Sequence, residues 1–170
     1  MTIENIRVEL TRMGIIPGTE DGADMFSAVV NNPSTGKAFP SVCAVYAPKA
    51  EYPYFHVVAR KKQLTFIPAN NRLVQILNAL NQISDLGAFQ YDQMRKTIYY
   101  DVSIPCGLED VITEETLRHY LIGPVLYLSC AHDLIYDFAV GKIDNLQEAA
   151  DRFVVALNSI AQTQRTPEEG

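Results

Sequence analysis

Tryptophan is absent from this chain of 170 residues, and cysteine is scarce: Cys43, Cys106 and Cys130 stand far apart. Three thiols, odd in number and with no CxxC pair, give no disulfide framework. They read as buried free thiols of a reducing cytoplasm, which is where the protein is expected. A positively charged start followed by an apolar core is also missing, so Met1-Thr2-Ile3-Glu4-Asn5 is read as no secretory signal. The longest strongly apolar stretch, Tyr120 to Ala131, is interrupted by Gly123-Pro124 and is too short for a bilayer. Basic residues are in deficit, 14 against 20 acids for a net charge of −6, and an acidic surface repels phosphate backbones and anionic membranes. No nucleic acid and no membrane are therefore expected as partners. Asn32 to Lys37 ends in Gly-Lys but lacks the glycine a phosphate loop needs at Asn31, and a strand rather than a helix follows. A hairpin turn accounts for it better.

What is present describes an ordinary globular protein, 48% hydrophobic and 20% charged, of a length that fits one domain. Such a chain buries roughly two thirds of its unfolded surface and needs neither metal nor disulfide to fold. Ile3, Ile6, Leu10 and Met13 draw a helical stripe, and Ile16 to Gly22 reads as a loop. Three strands follow: Phe26 to Val30, Phe39 to Ala47, and Tyr54 to Ile67, whose polar centre Arg60-Lys61-Lys62-Gln63 predicts a bulge or turn. Asn70 or Asn71 caps a helix carrying Leu73, Ile76, Leu77, Leu80 and Ile83. Phe89 and Tyr91, then Ile98, Tyr100, Val102 and Ile104, alternate with polar neighbours and predict a hairpin around Gln93 to Lys96. Thr113 with Glu114 and Glu115 starts a long helix that Pro124 should kink or restart. After Gly141 a last helix carries Leu146, Ala150, Phe153, Leu157 and Ile160. The order α-β-β-β-α-β-β-α-α predicts an α+β fold, an antiparallel sheet of about five strands with helices packed on it. One domain over 1–161 and a flexible tail over 162–170 complete the expectation.

Chemistry is thin. His119 and His132 lie thirteen residues apart, so about 100° per residue puts them on different faces of one helix. Glu115 and His119 are four apart, but one carboxylate and one imidazole make no metal site. His132, Asp133 and Asp137 cluster beside Cys130, yet Cys130 and His132 project in different directions. Arg60-Lys61-Lys62 is the only basic run, and near Tyr54, Phe55 and Phe66 it reads as a solvated strand edge rather than a nucleic-acid platform. No catalytic, cofactor or metal residues are assigned. Nine tyrosines are better placed to say where a partner sits. Tyr99, Asp101 and Tyr54 lie in strands on or beside the non-core face and are the expected partner contacts. The all-round apolar stretch at Val125, Leu126 and Leu128 predicts a second buried surface, a homodimer interface.

Leu80-Asn81, then Gly87-Ala88-Phe89-Gln90-Tyr91-Asp92, Ile98-Tyr99-Tyr100 and the Thr-Glu-Glu helix start at Thr113 above Leu117, in this element order, resemble the YbjN family of bacterial proteins and the type III secretion chaperones. The match is carried by Leu73 to Ala139. The resemblance implies a twisted antiparallel sheet with helices on it, often as a homodimer, and a chaperone-like or regulatory protein that binds extended segments of partner proteins without ATP. It brings no catalytic residue with it. A helix over Asp144 to Ala161 goes beyond the minimal chaperone pattern. A small-ligand or enzymatic domain, with a site gathered from His56, His132 and Asp133, is the alternative.

Overall fold

A computed structural model of the chain describes residues 8, 11–12, 18–19, 25–30, 41–46, 54–61, 65–105 and 113–163, with side chains mainly within 56–61, 65–104 and 113–159. In chain order these residues form β1 (Gly18–Thr19), β2 (Met25–Val30), β3 (Ser41–Tyr46), β4 (Tyr54–Lys61), α1 (Asn71–Ile83), β5 (Ala88–Asp92), β6 (Thr97–Pro105), α2 (Glu114–Ala139) and α3 (Leu146–Thr163). The expected first helix is seen at Val8, Thr11 and Arg12, and its stripe lies outside the described residues. So does the 162–170 tail beyond Thr163.

The strands pair antiparallel throughout, in the order β1-β2-β3-β4-β6-β5. The sheet has six strands where about five were expected. The addition is β1, two residues inside the stretch read as a loop, too short to carry an alternation. The predicted hairpin forms between β5 and β6, with Asp92 Oδ1 accepting from the amides of Met94 and Arg95 at 3.0 Å. Along β6, Ile98, Tyr100, Val102 and Ile104 are buried while Ser103 is exposed. That alternation turns one face of the sheet to the helices, and Val57, Ala59 and Phe89 share it.

Asn70 is the cap of α1, its Oδ1 accepting from Leu73 N at 2.9 Å. Leu73, Ile76 and Leu80 then enter the core on one stripe. Thr113 caps α2 through Thr116 N at 3.2 Å. Pro124 does not restart it: α2 runs unbroken from Glu114 to Ala139. The missing amide forfeits one bond, whereas Leu121, Val125 and Leu128 on either side are all buried, which holds both halves on the sheet. Gly141, at φ 80°, ends the connection, and Asn145 opens α3 by accepting from Gln147 N and Glu148 N. The helix from Asp144 to Ala161 is thus an ordered element, α3. Its Phe153 meets Phe89 and Tyr127 edge-on, at 5.7 and 6.0 Å between ring centres, so α1, α2, α3 and the sheet share one core.

Candidate functional site

β5 is one of the two edge strands and, among the described residues, is hydrogen-bonded as a strand to β6 alone. Its pairing with β6 runs without a bulge from Ala88↔Asp101 to Asp92↔Thr97. In such a ladder alternate residues turn both N–H and C=O outward. Asn81 identifies which: its carboxamide donates from Nδ2 to Phe89 O at 3.1 Å and accepts at Oδ1 from Phe89 N at 2.7 Å. Phe89 therefore faces out of the edge, and so does Tyr91. Among the described residues no group meets Tyr91's outward N–H and C=O.

α1 lies alongside. Asn71, Val74, Asn78 and Asn81 recur at spacings of three and four, the stripe next to the one that enters the core. Between this stripe and β5 runs a groove of about 520 Å³. Leu73, Leu77, Phe89 and Tyr91 supply its apolar lining, and Asn70, Asn71, Asn78, Asn81, Gln90 and Gln93 its polar one. None of the described lining residues is charged. Val74 stands 56% exposed at its lip, an apolar side chain in water without a covering neighbour. The Tyr91 hydroxyl donates to Ile67 O at 2.9 Å, which fixes the ring. Carboxamides carry a donor and an acceptor each, like the main chain. The arrangement is thus suited to bind an extended backbone, and it holds no nucleophile or general base.

A second hollow, about 470 Å³, lies on α3, but its charged groups are engaged, Arg152 with Glu148 and Asp151 with the Gln147 carboxamide.

Of the residues expected as partner contacts, Tyr99 and Asp101 do not line the groove. Tyr99 is half-buried on the sheet face away from the helices, with the Arg60 guanidinium 5.1 Å over its ring. Asp101, half-buried beside it, has Oδ1 3.6 Å from His56 Nδ1. Tyr54 opens β4 opposite Pro105, and its side chain lies outside the described residues. Two of the three residues expected at a dimer surface lie inside the chain's own core. Val125 and Leu128 are fully buried in the chain's own core and Leu126 is half-buried, so the apolar excess there is consumed by the sheet and the other helices.

The histidines separate too. His56 Nδ1 sits 3.2 Å from Ser103 Oγ and 3.6 Å from Asp101 Oδ1. Serine and aspartate thus crowd the same ring nitrogen, whereas a proton relay needs one on each. His132 is fully buried under α2 on the opposite face of the sheet, with Nδ1 2.9 Å from Asp133 Oδ1 and 3.4 Å from Lys61 Nζ. Burial lowers its pKa, and the bond from His132 lowers that of Asp133. His119 is exposed beside the Tyr120 ring. Cys130 is free and half-buried, and burial pushes its thiol up to about 11, far from a nucleophile's range. Burial likewise pushes Tyr100 up to about 12 and raises Tyr127, whose hydroxyl donates to Asp85. Among the described residues no group of three His, Cys, Asp or Glu side chains gathers as metal ligands, and no helix is long and apolar enough to cross a membrane.

Set against family models, curated proteins and solved structures, the chain matches none of them.

Proposed function

We propose that the chain is a non-enzymatic protein-binding module, chaperone-like or regulatory, in the manner that its resemblance to YbjN proteins and type III secretion chaperones implies. The groove between α1 and β5 is where it takes its partner, and the occupant is an extended, uncharged segment of another protein. The observation that carries the reading is the edge strand itself: Tyr91 offers an outward main-chain donor and acceptor beside an uncharged lining with six carboxamides. A segment laid there adds a strand to the sheet, gaining affinity from main-chain bonds and specificity from alternate side chains. The lining residues carry no charge to neutralise a charged guest, and desolvating an unpaired one is costly.

The test is selection from a phage-displayed random-peptide library on the immobilised protein, with Val74→Glu/Asn78→Glu as the counter-screen. Both positions are exposed, so the double variant should keep the wild-type melting temperature. Recovery of extended, uncharged peptides by the wild type alone supports the reading. Equal recovery on both proteins, or none on either, rejects it.

A further inference from the structure

The carboxamide of Asn81 reproduces what a neighbouring strand would do at Phe89, since one group makes both the 2.7 Å and the 3.1 Å bond to the same residue. β5 has two outward rungs, Phe89 and Tyr91, and helix α1 fills one of them. We infer that Asn81 is a specificity-determining residue of the groove: it closes the rung at Phe89 and thereby fixes the register of the guest strand on Tyr91. The inference rests on the peptide-binding reading given above. A guest therefore starts its ladder at Tyr91 and runs toward Gln93, away from Asn81. Its side chains at alternate positions share a face, and one such residue lies over Leu77 and Val74.

The residue type matters. Asparagine matches both groups of Phe89. Aspartate would accept from the amide but set a second acceptor against the carbonyl, and alanine would leave both groups open to a guest. A purely structural brace between α1 and β5 would also use these bonds, so stability alone does not separate the two roles. Register does.

The experiment follows amide hydrogen exchange at Phe89 and Tyr91 in the wild type, Asn81→Ala and Asn81→Ser, free and with peptides recovered from the random-peptide library on the wild type. In the wild type the Phe89 amide exchanges slowly from the outset. Bound peptide should slow Tyr91 by roughly tenfold or more and leave Phe89 unchanged. In Asn81→Ala the Phe89 amide should exchange fast when free and slow once peptide is bound, and peptides selected afresh on it should carry a longer alternating pattern. Asn81→Ser, whose hydroxyl is too short to reach the Phe89 main chain as the carboxamide does, supplies the same readout should alanine unfold the protein. Peptide that binds each variant while protecting Tyr91 alone would overturn the assignment and leave the groove intact. Peptide that binds without slowing Tyr91 would remove strand addition and the register role together. Failure of the wild type to recover any peptide would remove the groove, and with it this inference.

Discussion

Gly87 and Gly123 each sit where a Cβ would collide, but the obstacle differs. At Gly87 it would meet the Asp101 carbonyl oxygen at 2.3 Å, main chain of the neighbouring strand β6. At Gly123 it would meet Leu86 Cδ2 at 2.5 Å, the far end of a side chain that can rotate. Gly87→Ala should therefore lose about 1–3 kcal/mol in urea unfolding, the usual cost of overpacking. Gly123→Ala should come out near neutral, because helix propensity returns up to about 1 kcal/mol against the displacement of Leu86. Equal losses would mean that Leu86 is locked. His132 has a different signature. Its ring is buried with Lys61 and Asp133 as its charged neighbours, and burial holds its pKa below the ordinary 6.5. Between 6.5 and the lowered folded value the unfolded chain binds the proton more readily than the folded chain, so this group's contribution to stability is complete above pH 6.5 and falls as the pH drops toward the folded pKa. The urea midpoint should decline between pH 7.5 and 5.5 in the wild type and decline less in His132→Asn. Asp133, also lowered, acts only near and below its ordinary 3.8 and leaves that window undisturbed. Of this cluster, the sequence displays His132 and Asp133 as neighbours. Lys61 joins from a strand 71 residues away, and no local pattern can announce it.

Two helices meet end to side at Arg72. Its Nε donates to Phe138 O at 2.7 Å and its Nη2 to Ile143 O, while the guanidinium lies 4.4 Å over the Phe138 ring and 3.3 Å from Asp144. Asn70 Nδ2 adds a bond to Ala139 O at 2.9 Å. The start of α1 thus satisfies the carbonyls at and beyond the end of α2, and a cation there also complements that helix terminus. Arg72→Ala should cost about 2 kcal/mol, given that bonds from a charged donor are worth roughly 1.5–3 kcal/mol. Arg72→Lys should restore little, because one ammonium cannot serve two carbonyls and stack on a ring as the planar fork does. Thermal unfolding of the two variants side by side checks this; a fully stable lysine variant would reduce the role to charge. Most elements from α1 onward were legible, since Leu73, Ile76 and Leu80 keep helical period and Ile98 to Ile104 keep period two. The continuity of α2 was not. Pro124 is a local stop signal, and it is overruled by the burial of Leu121, Val125 and Leu128, which is a property of the assembled core.

At the scale of the molecule, sequence and structure diverge over which surface is available. The groove escaped the sequence because its existence depends on strand order. Nothing in Ala88 to Asp92 says that β5 lies at an edge, and the asparagine stripe of α1 reads as a solvated face until an edge strand lies beside it. The stripe at Val125, Leu126 and Leu128 poses the converse problem: hydrophobicity on most sides of a helix records burial, but not whether the burying surface belongs to the same chain. Here α2 lies on β4 and β6, with α1 and α3 along its flanks, so one chain supplies the cover. The two possibilities differ in how stability depends on concentration. An interface residue contributes to a folded state that dissociates on dilution, whereas a core residue contributes equally at every concentration. Leu128→Ala should lower unfolding stability by about 2–5 kcal/mol, the range for a leucine cut back inside a core. That loss should be identical in dilute and concentrated protein, with no change in mass by light scattering at either. A midpoint that climbs with protein concentration in the wild type and stops climbing in Leu128→Ala would return these residues to a homodimer interface, and the core packing that buries Leu128 in a single chain would then have to rearrange on association.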